Sequence, residues 1–230
     1  IPAAKRMNAK IKRDIDPVNN DGITLIPQAM SIVADEVIDL HRQLVPYGYD
    51  EINVNLGCPS GTVVSKKRGS GILAYPDMLD SFLDELYTKA DFPVSIKTRV
   101  GFNDDELWPT LIEIYSKYPI SELTVHPRVQ KDFYKNTPRM DDFALAMQKI
   151  NPDKTTLCYN GDITDTNSFK ALTDRFPDID EIMIGRGLFA NPALIAELKG
   201  ISMDKAELRE RLKNWHDEIL SGYLSIFSGE

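Results

Sequence analysis

The chain has 230 residues and a mass of 26.0 kDa, 42% of them hydrophobic and 27% charged, enough to bury one large core and too apolar for a disordered tail. No run of about 18 apolar residues occurs and the opening Ile1-Pro2-Ala3-Ala4-Lys5-Arg6 has no apolar signal core, so neither a membrane span nor a secretory leader is expected, and a soluble, cytoplasmic protein is. Two cysteines, Cys58 and Cys158, make no disulfide framework or four-thiolate zinc site, and 27 Lys and Arg against 35 Asp and Glu, a net charge of −8, argue against non-specific coating of nucleic acid while leaving room for a local basic face.

Residues 1–22 are polar, basic and then turn-rich, with no convincing strand. The first strand is expected at 24–28 (TLIPQ), followed by helical spacing over 31–45. Further strands are expected at 51–55 (EINVN), 94–99 (VSIKTR), 122–126 (ELTVH), 156–160 (TLCYN) and 181–185 (EIMIG). Helices are expected between them, at 77–89, 105–117, 141–149 and 165–176, with another at 191–198; several open on Asp, Ser or Asn, as N-caps do. Residues 203–230 read as a long amphipathic helix, the start of a further helical unit.

Polar or reactive side chains stand at or just beyond the C-terminal ends of these strands: Gln28; Asn55 and Cys58; Lys97 and Arg99; His126 and Arg128; Asn160 and Asp162; Arg186. In a (β/α)8 barrel that edge carries the active site, whereas a doubly wound sheet gathers ligands at one switch point. The expectation is an α/β fold, a (β/α)8 TIM barrel of which about six strands are present. The predicted division is 1–200 as the barrel and 201–230 as the beginning of a helical domain, with truncation at both ends.

The segments NVNLGCPSGTVVSKKRGSGILAYPDML (53–79), VSIKTRVGFND (94–104), LTVHPRVQKDFY (123–134), CYNGDI (158–163) and IGRGLFANP (184–192) stand in an order and spacing that resembles the tRNA-dihydrouridine synthases, flavin-dependent enzymes that reduce uridines of transfer RNA. The resemblance covers about residues 23–198. It implies FMN as cofactor, NADPH or NADH as reductant and tRNA as partner, with no metal and no membrane; no feature marks an obligate protein partner. By the same resemblance Gln28, His126, Asn160 and Asp162 line the isoalloxazine and ribityl chain. Lys97 is the cation expected near N1 and the C2 carbonyl, where reduction places negative charge. Gly185, Arg186 and Gly187, with a helix start behind them, offer backbone N–H groups and a guanidinium to a phosphate.

In the family's reaction a hydride passes from the flavin to C6 of uracil and a cysteine thiol protonates C5. Cys58 fits that role, since a thiol with an ordinary pKa of about 8.5 is mostly protonated at neutral pH. Asn55 and Arg99 are the residues expected to grip the pyrimidine, with Arg128 assisting. Two basic clusters, Lys66-Lys67-Arg68 and Arg128, Lys131, Lys135 and Arg139 with Phe133 and Tyr134 interleaved, are candidates for RNA phosphates and bases. Phe133 stands where the family more often has Gly, and Gln130 near a position usually basic. A flavin barrel acting on a free pyrimidine, of the dihydroorotate dehydrogenase type, and a non-catalytic RNA-binding barrel are the alternatives.

Overall fold

The computed structural model describes residues 6–227, so residues 1–5 of the expected barrel domain and 228–230 of the expected last helix lie outside the described residues. In chain order the helices are α1 (Ala9–Asp14), α2 (Ala34–Leu44), α3 (Gly61–Val64), α4 (Pro76–Lys89), α5 (Trp108–Ser116), α6 (Met140–Lys149), α7 (Thr166–Arg175), α8 (Arg186–Ala190), α9 (Leu194–Leu198) and α10 (Lys205–Phe227). The strands are β1 (Gln28–Ala29), β2 (Ile52–Leu56), β3 (Val94–Gly101), β4 (Glu122–Val129), β5 (Thr156–Asn160) and β6 (Glu181–Met183). They form one sheet in the order β1-β2-β3-β4-β5-β6, every pair parallel. Each strand lies beside its successor, with no reversal of order. This is the arrangement of part of a (β/α)8 barrel and not of a doubly wound sheet.

The two faces of the sheet differ in chemistry because side chains alternate along each strand. One face carries Ile52, Val54 and Leu56, Val94 and Ile96, Leu123 and Val125, and Leu157, all buried. Thr98 belongs to this face, and its hydroxyl meets Tyr115 of α5 at 2.9 Å. Helices cover it with apolar stripes at helical spacing, such as Leu79, Phe82, Leu83 and Leu86 on α4 and Trp108, Leu111, Ile112 and Tyr115 on α5. The opposite face is polar and falls into register rows. Gln28, Asn53 and Ser95 make one row. Asn55, Lys97, Thr124, Cys158 and Glu181 make the next, and Arg99 pairs with His126 above it. Asn160 stands beside Met183 at the same end.

Two strands depart from the sequence expectation: β1 shares only Gln28 with the expected 24–28, and β6 ends two residues before the expected 185. β1 pairs only Gln28 and Ala29, because Pro27 has no N–H and contributes just its carbonyl, which accepts from the Asn53 N–H at 2.9 Å. β6 stops at Met183, and the chain turns into α8 at Arg186. Three short helices were not legible as such. One of them, α1, forms inside the stretch read as turn-rich, where the Asn8 side chain caps it by accepting from the Ile11 N–H at 2.9 Å.

The described chain divides into two compact units. The first runs up to Gly161 and includes Asp178–Met183, hence the whole sheet; the second comprises Asp162–Pro177 and the residues from Ile184 onward. Among the described residues no helix is long and apolar enough to cross a membrane.

Candidate active site

The loop after β2 is held by Asn55 at two N–H groups and by three other side chains of the first unit at three carbonyls. Asn55 Oδ1 accepts the N–H of Gly57 at 3.0 Å and of Cys58 at 2.9 Å, an Asx-type turn that lifts the thiol off the strand end. The Gly57 carbonyl accepts from Arg99 Nε at 2.9 Å, the Cys58 carbonyl from Ser70 Oγ at 2.8 Å, and the Pro59 carbonyl from Gln130 Nε2 at 3.0 Å. Gly69 closes in from behind in a left-handed conformation, φ 53°, where a Cβ would stand 2.7 Å from the Cys58 carbonyl oxygen and 2.9 Å from its Cβ. Only glycine fits there. Cys58 itself is half-buried and unpaired with the other cysteine.

Arg99 and Arg128 are buried almost completely, at 2% and 1% exposure. Arg99 donates from Nε to Gly57, from one terminal nitrogen to the Val129 carbonyl at 3.0 Å and from the other to the Phe133 carbonyl at 2.7 Å. A guanidinium has five N–H groups, so one remains on each terminal nitrogen for a ligand. Arg128 donates to the carbonyls of Lys135 and Asn136 and, at 3.1 Å, to His126 Nε2. Because arginine cannot accept, His126 must accept at Nε2, which puts the proton of its neutral form on Nδ1. The Tyr134 ring lies 5.7 Å over Arg99 and stacks on His126 at 6.4 Å. The two cations and the imidazole thus hold the loop after β4, including Phe133, whose φ of 51° is a strained conformation for a non-glycine residue.

Lys97 occupies the middle of the polar face. Burial, reinforced by the neighbouring Arg99 charge and only partly offset by Cys158, lowers its pKa to about 8, and among the described residues no hydrogen-bond acceptor opposes that shift. Beside it Cys158 is pushed up to about 12 by burial and by Glu122 and Glu181, so this thiol stays protonated. Glu181 is itself raised, by burial and by its hydrogen bond and charge contact with Glu122. Ligand atoms of Glu122, Cys158 and Glu181 lie within 4.8 Å of one another, the one group among the described residues with the donor types and closeness to hold a cation.

Gln28 and Asn55 meet directly, Asn55 Nδ2 donating to Gln28 Oε1 at 2.6 Å, and Asn160 Nδ2 donates to the Met183 carbonyl at 3.0 Å. In the second unit, Asp162 and Arg186 form an ion pair at 2.7 Å, Arg186 being the first residue of α8. Gly187 has a packing reason of its own: a Cβ there would stand 2.1 Å from the Ile163 carbonyl oxygen. The basic clusters are only partly available to a partner. Arg68 is paired with Glu36 at 3.0 Å, Lys67 lies 4.3 Å over the Tyr75 ring, and Arg139 binds Asp132 and, at 3.1 Å, Asp105. Lys66, Lys131 and Lys135 are exposed. Sequence reading missed Asn53, Ser70 and Asp132. Asn53 was the findable one, since it alternates with Asn55 on a strand otherwise made of Ile, Val and Leu.

The dihydrouridine synthase (Dus) family model matches residues 8–220. The chain belongs to the dihydrouridine synthase family. It is 34% identical over 190 residues, 81% of its length, to a probable tRNA-dihydrouridine synthase of Staphylococcus aureus strain Mu50, and 29% identical over 168 residues, 73% of its length, to tRNA-dihydrouridine synthase B of Pasteurella multocida. A probable tRNA-dihydrouridine synthase of Staphylococcus epidermidis is 32% identical over 152 residues. The chain spans about half the length of these dihydrouridine synthases, 54%, 49% and 46% respectively.

Proposed function

We propose that this dihydrouridine synthase chain is the core of a cytoplasmic, FMN-dependent enzyme that reduces uridine to 5,6-dihydrouridine in tRNA with NADPH or NADH. The observation that carries the reading is the occurrence, on one polar face, of a braced Cys58 loop and a lysine, Lys97, that has no acceptor among the described residues. Such an ammonium fits the electron-rich N1 and C2 edge of a flavin. Gln28, His126 and Asn160 offer amide and imidazole groups for the ring; in the second unit Asp162 is assigned to the ribityl chain, and Gly185, Arg186 and Gly187 to the phosphate. The helical domain is proposed to begin at about residue 201 and the barrel to fill the rest.

When bound and reduced, FMN supplies the hydride that goes to C6. Cys58 gives its proton to C5 and is left as a thiolate. The remaining N–H groups of Arg99, with Asn55 and Arg128, orient the pyrimidine carbonyls. The uridine reaches this face only if it is turned out of its stack, and exposed Lys66, Lys131, Lys135, Phe133 and Tyr134 are the groups proposed to meet the RNA.

The test is titration of the full chain with FMN, followed by NADPH and tRNA that lacks dihydrouridine. The expected result is a yellow protein and a gain of two hydrogens per modified uridine by mass spectrometry. Turnover of free uracil or dihydroorotate in place of tRNA would select the free-pyrimidine reading. A colourless chain that still retains tRNA would select a non-catalytic RNA-binding barrel.

A further inference from the structure

Phe133 carries two penalties at one position. Its backbone, φ 51° and ψ −95°, lies outside even the left-handed region that asparagine tolerates, a shape open to glycine and unfavourable to a residue with a Cβ. Its ring is 46% exposed, apolar surface left in water. The strain is nevertheless held from both sides. The Phe133 N–H donates to the Gln130 carbonyl at 3.1 Å, and its carbonyl accepts from Arg99 at 2.7 Å. The preceding Asp132 is buried; its carboxylate accepts from the Val129 N–H at 3.1 Å, from Asn136 Nδ2 at 2.6 Å and from Arg139, while its carbonyl accepts the Lys135 N–H at 2.7 Å. Relaxing Phe133 would turn its carbonyl away from a buried guanidinium. Tyr134 is 55% exposed, but its ring already lies over Arg99 and stacks on His126. Lys131 and Lys135 stand on either side, both exposed. The loop after β4 thus presents a ring on a fixed backbone with a cation on each flank.

We propose that Phe133 is a wedge, which enters the RNA stack at the place the target uridine leaves and so keeps that base turned out. A base turned out of its stack leaves a gap between two flat faces, and a flat apolar ring fills such a gap. The position suits the task, because one guanidinium, that of Arg99, binds the Phe133 carbonyl and the Gly57 carbonyl of the thiol loop, and Gln130 binds the Pro59 carbonyl of the same loop. The ring and the thiol loop therefore adjoin. A wedge must not fold away before RNA arrives, and a pinned left-handed backbone supplies that rigidity. Lys131 and Lys135 would meet phosphates beside the gap. The wedge rests on the reading of tRNA as substrate and not on the role given to Cys58.

Phe133→Ala, Phe133→Leu, Phe133→Trp and Phe133→Gly in the full chain test it, each assayed for FMN binding and for dihydrouridine formation over a range of tRNA concentrations. One lost base–ring stack corresponds to about a tenfold effect. Phe133→Ala and Phe133→Leu are expected to turn over about tenfold more slowly at saturating tRNA, with FMN affinity and half-saturating tRNA within about twofold of the parent, because the uridine returns to its stack in a complex that other contacts still hold. Leucine is apolar but has no flat face, so a packing role would let it pass where alanine fails. Phe133→Trp should recover most of the lost turnover. Glycine takes this backbone without strain, so Phe133→Gly is expected to fold and to lose turnover as Phe133→Ala does; it decides the matter if alanine or leucine prevents folding. Unchanged turnover in Phe133→Gly, a leucine variant as active as the parent, a tryptophan variant as slow as the alanine one, or a loss confined to half-saturation overturns the wedge alone. A parent chain that leaves tRNA unreduced overturns the proposed function and the wedge with it.

Discussion

A thiol whose loop is braced at three carbonyls and two N–H groups can lose its sulfur without losing its place. Cys58→Ala is therefore expected to keep FMN affinity and melting temperature near those of the parent while lowering dihydrouridine yield by about 10²–10⁴, the range of a lost general acid. Unchanged yield would show that the proton comes from another group. Lys97 makes the opposite bargain with stability. The unfolded chain keeps this lysine protonated to about pH 10.5, but the folded chain releases the proton near pH 8. Between those values the unfolded state binds more protons, so stability rises with pH across that window. Lys97→Met should raise the ligand-free stability at pH 7, by about 1 kcal/mol after allowance for water on the polar face, and abolish the rise between pH 8 and 10. The same variant should slow flavin reduction, which a stopped-flow measurement reads. Candidate residues such as Cys58 and Lys97 stood out in the sequence because lysine on a strand, and cysteine between Gly and Pro, are hard to explain by packing alone. Their supports did not, because Arg99 reaches carbonyls 30 to 42 residues away.

Where α6 begins, a helix carboxyl is buried against one from the preceding loop. Asp142 Oδ2 is buried with no N–H or O–H donor, and its neighbour is the Asp105 carboxyl. Burial, the Asp105 charge and the contact with Asp105 raise Asp142 to about 7 against the lowering effect of Arg139, and a single proton between the carboxyls supplies the missing donor. The folded chain thus holds a proton that the unfolded chain releases near pH 3.8. The stabilisation is complete below that value and is lost as pH rises through about 7. Asp142→Asn is expected to flatten the melting profile between pH 5 and 8 and to exceed the parent at pH 8 by about 1 kcal/mol, or roughly 2–4 °C, in calorimetry. A profile unchanged by the substitution would place the titration elsewhere. At this scale the sequence was read well where apolar residues are sustained, as for α4 and β5. It was read poorly where one residue decides, as Pro27 does for β1 and Asn8 for α1.

For the molecule as a whole, a net charge of −8 must coexist with the polyanionic tRNA proposed as substrate. The proposed solution is local, since Lys66, Lys131 and Lys135 are exposed while several other basic side chains are held by acidic ones. Three phosphate contacts correspond to a slope of about −2 in the logarithm of tRNA affinity against the logarithm of salt, and replacing all three lysines with glutamine should bring it close to zero. A slope that survives the replacement would move the contact surface to another face. The parallel order of strands was predictable from polar residues recurring at strand ends, because a repeated position on successive strands already implies one shared edge.

The alternation of dry and wet side chains gives the sheet a parity. In β2 and β3 the even-numbered positions anchor the helices and the odd-numbered ones carry amides, cations and hydroxyls, while in β4 the assignment is reversed. Selection for a new substrate can therefore rewrite one set of positions with little effect on the other, so the scaffold and its chemistry can drift at separate rates.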